Sequence, residues 1–355
     1  MTDYAKLARL YAPVFAQKVH EEWPAADQIA PIDLAGSLKT VFDNPEFLAN
    51  KDPNWVIPNP KVYYSVCETT THYFLIYAVY HPLDWWKRVK AGYFEDPYNW
   101  IRRKLDQHVH DMEGLLMVLS KERQKEGAAP RVDAIITVSH FDFYLYARPQ
   151  FWDKKHNIWQ DVYPDNRRVV NFRESVDGRI EFDTEAKRVK VFVEAKGHGI
   201  RGDKKGWNAG KQIWWYNPIG VKTLVDPHNE ELLVPTADTV FGKGKPAHVR
   251  AYYELDDICA PDGLWDSRLD KDIFMQRDDG QWAFVGKGWL TKSRGQARRL
   301  PGAANPPWSW NDNNDPSPMG EIATDPARFI IRYGQGWGPV STQYIYNPYH
   351  NIGVE

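Results

Sequence analysis

Two runs of this 355-residue chain, Lys61 to Cys67 (KVYYSVC) and His72 to His81 (HYFLIYAVYH), are dominated by β-branched and aromatic residues. Such side chains suit a pleated, half-buried surface and commit the chain to sheet. Pro82 stops the second run and places Leu83 and Asp84 where the chain leaves the sheet. Asp111 to Leu119 (DMEGLLMVL) reads as a third strand, apolar on both sides after Gly114, as in an inner strand with covered faces. A helix competes there, but Gly114 near its start weakens it by about 1 kcal/mol relative to Ala. Arg131 to Ser139 (RVDAIITVS) follows the turn-forming GAAP as a fourth strand.

Further strand candidates are Ile180 to Phe182 with Arg188 to Ala195, a hairpin leading into Gly197, His198 and Gly199, then Val249 to Leu255 and Trp282 to Val285. At the N-terminus, Thr2 or Asp3 caps a short helix with Leu7, Leu10 and Tyr11 on one side, ending near Pro13. Val14 to Val56, broken by Pro24, Pro31 and Pro45, reads as a loop-rich segment with room for one further short helix, and Gln160 to Asp177 as a surface excursion. Asn305 to Met319 is turn-forming, with order returning at Phe329 to Tyr333 and Val340 to Tyr346. No internal repeat or flexible linker interrupts this pattern. The expectation is a mainly β, antiparallel sandwich with short peripheral helices and long loops, one elaborated domain over residues 1–355 with a loop-rich segment at 1–60.

The chain is 43% hydrophobic, enough for a large core without staples. Its 45 basic and 47 acidic residues give a net charge of -2, so nothing global points to nucleic acid. The basic stretches Lys187 to Lys190 and Lys292 to Arg299 read as solvated edges. Cys67 and Cys259 are the only cysteines, consistent with one bridge or with two reduced thiols. No leader of the signal-peptide kind is visible, and the apolar stretch Tyr73 to Tyr80 is too short to span a bilayer as a helix. The chain reads as soluble, with secretion and a cytoplasmic location both open.

The chemistry concentrates in His108, Val109, His110, Asp111, Met112 and Glu113. If Asp111 opens a strand, the two-residue period sends its carboxylate and that of Glu113 to one face. Two adjacent carboxylates need a counter-charge, and a divalent cation is the economical supplier. His108 precedes the strand and Asp84 leaves its neighbour, so Asp84, His108, Asp111 and Glu113 form the expected ligand set. Oxygen-rich ligation with one imidazole favours Mg or Ca, with Mn or Zn next. The bland alternative is a strand start whose acids pair with Arg102, Arg103 or Lys104.

In Lys196-Gly197-His198-Gly199 the glycines permit tight turning, leaving His198 as a second-layer partner of the ion, a general base, or an end-of-strand histidine. His140 and Asp142 lie beyond the fourth strand, and Glu194 precedes the KGHG segment. The aromatic, amide-rich stretches Trp207 to Tyr216 and Trp308 to Asp315 read either as pocket rims or as covers for core edges. As rims they would offer Trp214, Trp308 and Asp312, with His140, to a substrate. No nucleophile elbow, P-loop, dinucleotide fingerprint or H-E-x-x-H pair is present.

HYFLIYAVYHPLD, then QHVHDMEG, then EAKGHGI, with the opening LARLYAPVF, resembles the ordered pattern of necrosis and ethylene-inducing peptide-like (NPP1/NLP) proteins and the related Vps62-like proteins. The resemblance implies a β-sandwich with Asp84, His108, Asp111 and Glu113 at a metal, His198 as the family's later histidine and His110 in a supporting role. Gln107, Val109 and Met112 stand where that family has Gly, Arg and Trp, so its cytolytic behaviour is not carried over. Two functional expectations follow: a divalent-metal-binding protein recognising a glycan or polar lipid head group, and a metal-dependent hydrolase of an ester, phosphoester or glycoside. In the hydrolase, a metal-activated water would attack the small-molecule substrate, with His198, His110 and Glu113 as the catalytic residues. A third reading leaves the cation only a structural role.

Overall fold

The computed structural model describes residues 2–19, 27–32, 57, 59–81, 111–121, 130–140, 142–148, 150–153, 158–161, 169–170, 175–183, 187–202, 213–219, 249–270, 274–276, 280, 282–284, 304–312, 314, 317–333 and 340–354. Helix α1 (Tyr4–Tyr11) is capped by Asp3, whose carboxylate accepts the Lys6 N–H at 2.8 Å. Its far end meets the buried Arg188 guanidinium, which donates to the carbonyls of Arg9, Leu10 and Ala12 and so serves acceptors that a helix end leaves open.

The strands are β1 (Val14–Lys18), β2 (Lys61–Thr69), β3 (His72–His81), β4 (Asp111–Ser120), β5 (Arg131–Ser139) and β6 (Asp142–Ala147). Then come β7 (Gln150–Asp153), β8 (Ile158–Asp161), β9 (Val169–Val170), β10 (Ser175–Arg179), β11 (Glu181–Phe182) and β12 (Val189–Val193). The last are β13 (Ile200–Gly202), β14 (Ile213–Pro218), β15 (Val249–Asp257), β16 (Phe274–Gln276), β17 (Trp282–Phe284) and β18 (Tyr344–Tyr346). Helices α2 (Leu264–Ser267), α3 (Glu321–Thr324) and α4 (Pro326–Tyr333) complete the elements used below.

The expected β2 to β5 strands are present, and among the described residues the main sheet runs β11-β12-β1-β14-β15-β2-β3-β4-β5-β6-β10-β9, with β13 on β12 and β18 on β2. It curls toward a barrel, and β13 lies against β4, β5 and β6. The expected antiparallel pairing holds from β2 through β6, and four pairings depart from it: β1 with β12, β14 with β15, β15 with β2 and β6 with β10 pair in parallel. Parallel neighbours need long crossovers, and these partners are far apart in sequence or joined by long connections. Two loop assignments change for the same reason. The stretch after α1 supplies β1, set between β12 and β14, and the expected surface excursion supplies β9 and part of β10.

Alternation along β2 to β5 explains why these segments are apolar on both sides. Val62, Tyr64, Val66, Tyr77, Val79, Leu115, Met117 and Ile135 point inward to meet Phe15, Val191, Trp214, Tyr216 and Tyr253 from the facing strands. Tyr63, Cys67, Ile76, Leu116 and Ile136 point outward beneath Trp308, Trp310, Ile322, Phe329 and Ile330 of the C-terminal segment. Each fully buried side chain of this kind contributes roughly 1.5–3 kcal/mol, so both layers hold the sheet. Cys67 and Cys259 are free thiols, which settles the alternative left by the sequence.

Candidate functional site

At one end the inward face of the sheet changes from apolar to polar. Its columns run Tyr77, Val79, His81 on β3 and Leu115, Glu113, Asp111 on β4, with His81 opposite Asp111 and Val79 opposite Glu113. On β5 the sequence is Ile135, Thr137, Ser139, with Thr137 opposite Leu115. The two-residue period therefore gathers His81, Asp111, Glu113, Thr137 and Ser139 at the same end, and all are buried. Gln17 enters from β1, two residues beyond Phe15, and His198 from the connection between β12 and β13.

His198 is fully buried between two carboxylates: Nδ1 lies 3.3 Å from Asp111 Oδ2 and Nε2 lies 3.2 Å from Asp27 Oδ1. Burial pushes its imidazolium down, but the hydrogen-bonded Asp111 and Asp27 carboxylates more than offset this and carry His198 up to about 9. Its ring stacks on that of His81, with centroids 3.9 Å apart and planes within 1°. His81 is pushed well below the usual histidine range by burial and by the neighbouring His198 charge. Gln17 Nε2 donates to the carbonyls of Lys18 and Glu194, so its Oε1 is left to accept from His81 Nε2 at 2.8 Å. That bond places the His81 proton on Nε2. The stacked pair thus combines a charged ring with a neutral one.

The connection after β12 is drawn tight. Gly199 accepts the Glu194 N–H at 3.1 Å, and Lys196 donates its N–H to Asp27 Oδ1 at 2.7 Å. Lys196 and His198 both hold positive φ, 78° and 52°, as does His140 at 60°. Each such residue costs on the order of 1 kcal/mol, so tertiary contacts are overriding local preference here. A Cβ on Gly197 would strike the His140 ring and one on Gly199 would strike the Ser139 hydroxyl, so the KGHG glycines permit close approach to the end of β5. His140 donates its backbone N–H to Glu113 Oε1 at 2.8 Å while its side chain stays 47% exposed, placing it at the outer edge.

The structure thus brings Asp111, Glu113, His198 and His140 together, while Asp84, His108 and His110 lie outside the described residues. Trp214 is not at a rim: it is fully buried on β14, opposite Gln17. Trp308 sits in the outer core, edge-on to Trp265 and Phe274. Asp312 is also buried, accepting from the Tyr333 hydroxyl at 3.0 Å. In all three, packing claims the side chain the aromatic stretches offered to a ligand. Sequence reasoning missed Asp27, Gln17 and His81. Only His81 carried a signal, as the polar end of an apolar strand, for Asp27 and Gln17 come from a segment read as loop.

Among the described residues no group of three or more His, Cys, Asp or Glu side chains is arranged to hold a metal ion. Asp111 and Glu113 fit a hard cation in donor chemistry and in facing the same way, but two carboxylates are fewer than such an ion requires. His198 holds both ring nitrogens against carboxylates, which suits an orienting partner better than a direct ligand.

No family model matches the chain. No curated protein matches it. Several solved structures show a weak, low-identity likeness. The non-toxic HaNLP3 protein is 15% identical, with a TM-score of 0.23 over 42% of this chain and 48% of its own. Necrosis and Ethylene inducing Protein 2 from the causal agent of cocoa's Witches Broom disease is 15% identical, with a TM-score of 0.26 over 56% of this chain and 68% of its own. NLPPya in complex with mannosamine is 12% identical, with a TM-score of 0.24 over 56% of this chain and 66% of its own. The chain spans about half the length of the first and about two thirds of the other two. At these scores the likeness carries no weight, and the chemistry of the site rests on the chain's own residues.

Proposed function

We propose that the polar end of the sheet stack is a recognition site for a hydroxyl-rich ligand, a glycan or a polar lipid head group, assisted by a divalent cation. The observation supporting this reading is the pair Asp111 and Glu113, buried two residues apart on one inward face, with His198 fastened to Asp111. Asp84 and His108 would complete the cation's ligand set, with Mg or Ca the best match to oxygen donors and Mn or Zn next. When bound, the cation would supply open positions for ligand oxygens. The chain's own groups orient the site: His198 fixes Asp111, the His140 N–H fixes Glu113, and carboxylate oxygens accept hydroxyl protons.

The hydrolase alternative asks His198 to accept a proton from water. Both of its ring nitrogens lie against carboxylates, Nδ1 against Asp111 and Nε2 against Asp27, so neither is directed at a water, which favours recognition over turnover. The test is elemental analysis and calorimetric titration with Mg, Ca and Mn of the wild type and Asp111→Ala. It is followed by glycan and head-group binding with and without chelator, and by ester, phosphodiester and glycoside panels. Metal-dependent binding lost in Asp111→Ala supports the proposal. Equal metal content in both proteins sinks the site, and metal-dependent turnover selects the hydrolase.

A further inference from the structure

We infer that Asp27 is a positioning residue of this site, holding His198 from one side so that the opposite ring nitrogen fixes Asp111; the inference rests on the recognition reading above. Asp27 is fully buried, and its Oδ1 meets both the Lys196 N–H and His198 Nε2. The segment that carries it is tied to the sheet independently of the His198 connection. Ala30 donates its N–H to Tyr80 O at 2.9 Å, Ile32 donates to the Tyr63 hydroxyl at 2.6 Å, and Gln28 Oε1 accepts from the Ile57 N–H at 2.6 Å. Tyr80 immediately precedes His81, so Asp27 is anchored beside the strand whose last residue stacks on His198.

The imidazole is rigid, so a carboxylate on one nitrogen sets the direction of the other. Both partners are carboxylates, which as anions only accept, so the geometry asks His198 to present two N–H groups. Asp27 supplies the second acceptor and also holds the backbone of the strained connection at Lys196. Partners one layer behind a ligand commonly change metal affinity about 10–100-fold when removed.

The test uses the full chain with Asp27→Asn, Asp27→Ser, His198→Asn and the double variants, with Mn affinity read by calorimetry. The expected result is a loss of roughly 10–100-fold in each Asp27 variant and no further loss when it is added to His198→Asn, because both act through one ring. Additive losses overturn the inference, since a merely structural Asp27 would weaken the site independently of His198. A cation-free readout accompanies it: the 15N-labelled ring of His198 shows two N–H signals in the wild type, and the Nε2–H signal is lost or shifted in the Asp27 variants. Unchanged ring signals in a folded variant overturn the inference. If the wild type binds no Mn, the cation reading fails and the ring signals alone decide the role of Asp27.

Discussion

His198→Asn should remove a pH-dependent part of the protein's stability. His198 is fully buried and raised to about 9 by two carboxylates that outweigh its burial, against an unfolded value of about 6.5. A raised folded value means that the stabilisation is complete below about 6.5 and disappears as pH rises through about 9. The span corresponds to about 3 kcal/mol at the acid limit, of which roughly 2–3 kcal/mol persists at neutral pH. His81 has the opposite shift, and its cost falls below about pH 6.5, so the range from neutral to about pH 10 isolates His198. Asn tolerates the left-handed backbone that position 198 requires, which limits unrelated strain. Denaturant unfolding of both proteins at several pH values in that range measures the difference directly, and titrations common to both cancel. The wild type's advantage should shrink by about 2–3 kcal/mol toward pH 10. An advantage that stays constant with pH would show that His198 is not the charged link between Asp27 and Asp111.

Other perturbations test the packing around the site. Gly199→Ala places a methyl group against the Ser139 hydroxyl and should cost about 1–3 kcal/mol, partly restored by Ser139→Ala; denaturant melts of the single and double variants measure both. Trp214→Ala should cost about 3–5 kcal/mol, because the indole fills the inner core, whereas a rim tryptophan would leave the melting temperature nearly unchanged. Burial pushes both Cys67 and Cys259 thiols up, so neither should react rapidly with a thiol-specific disulfide reagent at pH 8 until the protein is unfolded. Fast reaction of one equivalent in the native protein would contradict the packing at Cys259.

The strands from Lys61 to Ser139 were legible because their composition and two-residue period depend only on near neighbours, and the same period put Asp111 and Glu113 on one face. The capped first helix was legible for a similar local reason, as the Asp3 carboxylate reaches only to Lys6. What Trp214, Trp308 and Asp312 do was not legible, since an aromatic or amide-rich stretch looks the same whether its rings face solvent or a core. The parallel pairings, the placement of β1 and the roles of Gln17 and Asp27 depended on contacts across most of the chain. Sequence argued that the crowded carboxylates needed positive charge nearby. Tertiary structure decided that His198 stands between Asp111 and a second carboxylate from the N-terminal segment, because only a folded sheet can bring groups 171 residues apart within hydrogen-bonding distance.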